Sequence, residues 1–106
     1  MLLKAGVSLR CLKREIRRAL NIIEDVYINI AGHESIITST TEGTHSPSSL
    51  HYAGQAVDIA LPGAHNMYVR PGGSTNAVVK KLREMLGKDY DVVLEKDHIH
   101  VEYDPK

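Results

Sequence analysis

The chain has 106 residues, of which 42% are hydrophobic and 25% charged, and these values are typical of one globular domain. Lys and Arg total 13 and Asp and Glu total 13, so no net charge attracts nucleic acid or an anionic membrane surface. Every apolar run is shorter than the roughly 20 residues of a membrane-spanning helix. We therefore expect a single domain, residues 1–106, that binds neither nucleic acid nor a membrane.

A long amphipathic helix is predicted for the N-terminal part of the chain. From Ser8 to Gly32, apolar residues recur at helical spacing and charged residues occupy the opposite side. Ser8 suits the N-cap and Gly32 suits the end of such a helix. The β-branched segment that follows, Ile36 to Ser39, predicts a short strand leading into a polar loop over residues 40–50.

The segment 55–61 predicts a half-buried strand, because its side chains alternate with a period of two. Ala56, Asp58 and Ala60 share one face of this strand, and larger apolar residues share the other. The two alanines leave space around the Asp58 carboxylate. This face is therefore a candidate site.

The second half of the chain predicts one helix and one hairpin. The helix extends from its N-cap, Ser74, to Gly87, and its expected buried face consists of four apolar residues: Val78, Leu82, Met85 and Leu86. Two apolar segments, 90–94 and 98–103, follow and predict an antiparallel hairpin. The expected fold class is α+β, a small and mainly antiparallel sheet covered by two helices.

Four of the six histidines lie in segments that flank the predicted sheet. On the last strand His98, His100 and Glu102 share a face, and His51 precedes Asp58 by seven positions. Imidazole nitrogen and carboxylate oxygen are ligands that zinc accepts, and two histidines with one aspartate supply the three protein ligands of a catalytic zinc site. The alternative is that these histidines only edge a strand face exposed to solvent.

The run from Ser49 to Asp58 reads Ser-x-His-x-x-Gly-x-Ala-x-Asp and resembles the zinc motif of the D-alanyl-D-alanine carboxypeptidase family. It is also similar to the hedgehog signalling domain, which shares that fold. Residues 95–101, Glu-Lys-Asp-His-Ile-His-Val, look like the second half of the same site, where the family places a Glu upstream of a His-x-His strand. The resemblance implies the hedgehog/DD-peptidase fold.

The resemblance also implies a role for each matching residue. His51, Asp58 and His100 are then the zinc ligands. His98 lies beside the metal as a transition-state stabiliser or proton carrier, and Glu95 falls near the family's general base.

Other polar residues near these motifs have less specific interpretations. His45 matches a histidine that lines the cleft in hedgehog-like members. Glu102 shares a strand face with His100 and could orient its imidazole ring. Glu95 could be a hairpin-turn residue kept for solubility, in place of the general base. His33 and His65 lie outside this group, and we expect both to be exposed to solvent.

The sequence thus predicts a zinc metallopeptidase, a hydrolase that cleaves amide bonds in bacterial cell-wall peptides, as a lytic enzyme of a phage or bacterium does. Its expected cofactor is Zn²⁺, its expected partner is a peptidoglycan peptide, and we expect a monomer. The N-terminus lacks a secretory signal, so we expect a chain that is cytoplasmic as synthesised and acts at the cell wall. The alternative is a zinc-stabilised, non-catalytic binding module of the hedgehog-like branch.

Overall fold

The computed structural model describes residues 1–9, 12–40, 55–63 and 75–105. Within them the chain forms a five-stranded mixed sheet and two α-helices, so the predicted α+β class is confirmed. The strands and helices are β1 (Leu2–Leu3), α1 (Arg14–Val26), β2 (Ile36–Ser39), β3 (Ala56–Ala60), α2 (Thr75–Leu86), β4 (Tyr90–Leu94) and β5 (His98–Tyr103). No helix in these ranges is long and apolar enough to cross a membrane.

The strands lie in the order β1-β2-β3-β5-β4. The edge strand β1 was not predicted, and it pairs in parallel with β2. All other neighbours are antiparallel, including the predicted hairpin of β4 and β5. Strand β5 therefore lies between β3 and β4, and its pairing with β3 brings the end of the first sequence motif next to the second.

Helix α1 begins later than the sequence predicted. Ser8 does not cap it, because the N-cap is Lys13 in an extended conformation. The preceding segment instead follows the sheet edge, where Leu2 donates its N–H to the Ser35 carbonyl at 2.8 Å and Lys4 donates to Ile37 at 2.9 Å. The Ser8 carbonyl accepts a hydrogen bond from the Thr40 hydroxyl at 2.5 Å. A contact with Thr40, which directly follows strand β2, thus involves Ser8, the residue that the sequence assigned to the start of the helix.

The predicted end of the first helix is confirmed. Helix α1 continues into a π-helical turn, Tyr27–Ala31, and the chain then turns at Gly32. Gly32 has a φ of 79°, a left-handed conformation that glycine adopts without steric cost, and its N–H bonds to the Tyr27 carbonyl at 2.9 Å.

Helix α2 ends as predicted at Gly87, but its buried face differs from the prediction. Met85 is 51% exposed, whereas the buried positions of the helix are Thr75, Val78, Val79, Leu82 and Leu86. Met85 is about 100° around the helix axis from Leu86, which directs its side chain away from the sheet. The predicted cap, Ser74, lies outside the described residues.

One core joins the helices to the sheet. Its fully buried members include Ile16, Ile23, Tyr27, Ile37, Val57, Ile59, Val78, Leu82, Ile99 and Val101. Burying a side chain of this size stabilises a fold by roughly 1.5–3 kcal/mol. Because Val57, Ile59, Ile99 and Val101 point into this core, the residues that alternate with them on β3 and β5 point to the other face of the sheet.

His33 is not the exposed residue that the sequence suggested. It is half-buried, its Nε2 accepts the Gly63 N–H at 2.8 Å, and its Nδ1 lies 2.8 Å from the Glu34 carbonyl. The ring also contacts the edge of Tyr27, whose hydroxyl donates to the Ala60 carbonyl at 2.7 Å. These contacts join the end of the first helix to the end of β3. His65 lies outside the described residues.

Candidate metal centre

The candidate site lies on the face of β3 and β5 that points away from the core. Asp58 is directly opposite His100 in the antiparallel pairing, and Ala60 is opposite His98. The third pair on this face is Ala56 and Glu102. The pairing thus brings Asp58 and both histidines of the His-x-His segment to neighbouring positions.

The two imidazoles approach the same oxygen of Asp58. His100 Nδ1 is 2.8 Å from Asp58 Oδ1, and His98 Nε2 is 3.6 Å from that atom. The side chains of Asp58, His98 and His100 are 14%, 29% and 21% exposed, so the site is only partly open to water. The hydrogen bond that the His100 ring donates to Asp58 raises the pKa of His100 above its usual value, although burial opposes the charged ring.

Each imidazole has a second carboxylate at its other nitrogen. Asp97 Oδ1 lies 2.7 Å from His98 Nδ1, and Glu102 Oε1 lies 3.5 Å from His100 Nε2. The bond to His98 holds the pKa of the Asp97 carboxyl below its usual value. The contact between Asp97 and His98 was not predicted from the sequence. The signal for it was that Asp97 lies in the hairpin turn directly before His98.

A row of side chains crosses the sheet at the site. Ser39 pairs with Asp58, Asp58 with His100, and His100 with Val93. Val93 is 40% exposed and supplies an apolar surface beside the imidazole. Asp91, two positions before Val93 on β4, pairs with Glu102 and therefore lies on the same face.

Glu95 lies at the end of the β4–β5 hairpin. Its N–H donates to the His98 carbonyl at 2.9 Å, so the two residues are opposite each other. Because Val93 shares a face with His100, alternation places Glu95 on that face as well. Its side chain is exposed. The position is compatible both with a base near the site and with a solvated turn residue.

Two of the predicted site residues, His45 and His51, lie outside the described residues. Among the described residues, no group of three or more His, Cys, Asp or Glu side chains is arranged to hold a metal ion. Two of the three predicted zinc ligands, Asp58 and His100, are in direct contact, and the third is His51. Imidazole nitrogen and carboxylate oxygen are both ligand atoms that zinc accepts, so the chemistry of this hydrogen-bonded pair fits the metal.

Comparison with known proteins adds no assignment to this description. The sequence matches no protein-family model, and no curated protein is significantly similar to it. A function for this chain is therefore inferred from the contacts at Asp58, His98 and His100 and from the two sequence motifs that contain these residues.

Proposed function

We propose that this protein is a zinc-dependent peptidase of the hedgehog/DD-peptidase type that hydrolyses amide bonds in bacterial cell-wall peptides. The observation that carries the proposal is the 2.8 Å contact between Asp58 and His100, which are 42 positions apart in the chain. These residues come from the two separate halves of the motif, and the pairing of β3 with β5 brings them together.

The ligands of the proposed zinc ion are Asp58, His100 and His51. Strands β3 and β5 hold the first two on a hydrogen-bonded framework, which favours a defined ligand geometry over one that a loop alone would give. When bound, zinc would lower the pKa of a water molecule and polarise the carbonyl of the scissile bond.

Proton transfer is the proposed role of His98. Its Nδ1 lies 2.7 Å from the exposed carboxylate of Asp97, which leaves Nε2 facing Asp58 and the site. With a proton on Nδ1, the ring can accept a proton at Nε2 from the attacking water molecule and deliver it to the nitrogen of the leaving amine. The Asp97 carboxylate stabilises the positively charged ring that exists between these two events. Glu95, opposite His98, is the second candidate for this role.

The substrate class comes from the resemblance of the motifs to cell-wall peptidases. We propose a peptidoglycan stem peptide as the partner, a monomeric enzyme and action at the cell wall. Partial burial of Asp58 and His100 strengthens the electrostatic effect of the site on a bound carbonyl, because fewer water molecules screen it.

The test is digestion of purified peptidoglycan followed by mass spectrometry of the released peptides. We expect the zinc-loaded protein to produce new peptide ends, a chelator to stop their release, and added Zn²⁺ to restore it. Asp58→Asn should be inactive, whereas the matched Asp91→Asn, on the same sheet face, should remain active. Full zinc content without any new peptide ends would overturn the peptidase proposal and favour the non-catalytic binding module.

A further inference from the structure

His100 lies between two carboxylates that approach its two ring nitrogens separately. Asp58 Oδ1 is 2.8 Å from Nδ1, and Glu102 Oε1 is 3.5 Å from Nε2. Only the first of these two carboxylates belongs to the proposed ligand set. The proposed zinc site therefore leaves the Glu102 carboxylate without an assigned role.

We propose that Glu102 is a positioning residue for His100, holding a proton on Nε2 so that Nδ1 is the nitrogen that binds zinc. The inference rests on the proposed function, since it concerns how this chain prepares one ligand of that metal. Glu102 itself contacts neither zinc nor substrate in this role.

The chemistry of imidazole explains why such a residue matters. A neutral ring carries one proton, and only the nitrogen without it can bind a metal. In the metal-free chain, the 2.8 Å hydrogen bond to the Asp58 carboxylate uses a proton on Nδ1, and zinc binding would release that proton. The carboxylate at Nε2 then stabilises the proton that remains on the ring, fixes the orientation of the ring and makes Nδ1 a stronger electron donor. In a ring that is only 21% exposed, this influence is weakly screened by water.

The geometry of β5 places Glu102 where this role requires it. His100 and Glu102 are two positions apart on one strand and therefore project from the same face. The residue opposite Glu102 on β3 is Ala56, whose side chain is too short to compete for the space beside the carboxylate. The Glu102 side chain is 22% exposed, so its position is restricted by neighbours.

Asp91 provides a matched control for total charge. It is the Cα partner of Glu102 on β4 and carries the same charge on the same sheet face. Replacing Glu102 with Gln and Asp91 with Asn removes one negative charge each, with little change in shape. Only the Glu102 substitution alters the group 3.5 Å from His100 Nε2.

The experiment measures the dissociation constant of Zn²⁺ by competition with a chromophoric chelator, for wild type, Glu102→Gln, Glu102→Leu and Asp91→Asn. We expect Glu102→Leu to bind Zn²⁺ roughly 10- to 100-fold more weakly, the usual effect of losing such a partner. Glu102→Gln should lose less, because its amide oxygen still accepts the Nε2 proton, and Asp91→Asn should match wild type. In the zinc-loaded wild type, ¹⁵N chemical shifts of the His100 ring should place the proton on Nε2.

Each other outcome contradicts a defined part of the argument. If Glu102→Leu binds Zn²⁺ as tightly as wild type, or if Asp91→Asn weakens binding as much as Glu102→Gln, Glu102 has no positioning role and the proposed function stands. If wild type binds no Zn²⁺, the proposed function fails and this inference fails with it. Should circular dichroism show Glu102→Leu unfolded, the pair Glu102→Gln and Asp91→Asn decides, with weaker binding expected only for the former.

Discussion

Asp58 and His100 face each other across the β3–β5 pairing, and their side chains meet at 2.8 Å. The two residues come from segments separated by helix α2 and strand β4. The contact forms because hydrophobic alternation turns Val57, Ile59, Ile99 and Val101 into the core and leaves the intervening polar positions on the opposite face. Two predicted zinc ligands are therefore neighbours in the tertiary structure.

The first prediction concerns the metal ligands. We expect the purified protein to carry about one zinc ion per chain, the content of a mononuclear site with three protein ligands. Asp58→Ala, His100→Ala and His51→Ala should each abolish stoichiometric binding, as measured by elemental analysis. Asp91→Ala is the control on the same face and should keep its zinc. Full zinc content in all three ligand variants would show that the ligand assignment is wrong.

The second prediction separates proton transfer from metal binding. His98→Ala and Glu95→Gln should retain zinc but lose turnover on cell-wall peptides by roughly 10²-fold or more, the usual contribution of general acid–base catalysis. Lys96→Ala, in the same hairpin turn, should have no effect on either quantity. If Glu95→Gln is fully active while His98→Ala is not, Glu95 is a turn residue, and Asp97→Asn becomes the variant to measure.

The third prediction concerns metal removal and stability. Zinc would connect β3, β5 and the segment that contains His51, so its binding free energy stabilises the folded chain. We expect a chelator to lower the Tm of wild type in a thermal unfolding experiment. His100→Ala should start at a lower Tm and respond little to the chelator. An equal response of both proteins would mean that the chelator does not act through this site.

The fourth prediction concerns acid stability and Glu24. Partial burial tends to raise the pKa of Glu24, but hydrogen bonds from the Met1 ammonium group and from the N–H and hydroxyl of Ser35 outweigh it, so the pKa is lowered in the folded protein. The charged carboxylate therefore stabilises the fold above the unfolded-state pKa, near 4.5, and this contribution is lost as the pH falls through the lower folded-state pKa.

Urea unfolding at a series of pH values tests this relation. Glu24→Gln should be less stable than wild type near neutral pH, and the difference should shrink as the solution is acidified below about pH 4.5. Asp25→Asn, at the next and exposed helix position, is the control. A Glu24→Gln protein whose stability falls with acid as steeply as that of wild type would contradict the assignment.

The fifth prediction compares two tyrosine hydroxyls. Tyr27 is fully buried and donates to the Ala60 carbonyl at 2.7 Å, whereas the partly buried Tyr90 donates to the Glu15 carbonyl at 2.8 Å. Tyr27→Phe leaves a buried carbonyl without this donor and should lower the free energy of unfolding by about 1–3 kcal/mol. Tyr90→Phe should lower it less, since water can replace the lost donor. Chemical denaturation of both variants makes the comparison, and equal losses would contradict the explanation by burial.

The errors of the sequence prediction share a physical cause. Ser8 had the chemistry of an N-cap and Met85 had the hydrophobicity of a core residue, yet long-range contacts decided both positions. The Ser8 carbonyl bonds to Thr40, and the contact surface of α2 follows the line of Val78, Leu82 and Leu86. The role of His33 was missed for the same reason, because its partner Gly63 is 30 positions away.

The local pattern of the sequence was sufficient to predict both helices and four of the five strands, and the faces that the residues of β3 and β5 occupy. Period-two alternation was sufficient to place Asp58 on one face of β3. It was also sufficient to place His98, His100 and Glu102 together on one face of β5, because side-chain direction in a strand depends only on neighbouring residues.

Apart from the β4–β5 hairpin, which the sequence predicted, the tertiary structure decided which strands pair and in which register. The position of β5 between β3 and β4 brings His100 to Asp58, and the register places Ala56 opposite Glu102. Register and strand order result from the summed packing of many weak contacts between distant segments, which no local pattern contains. The distances of 2.8 Å and 3.5 Å on either side of the His100 ring are a consequence of that packing.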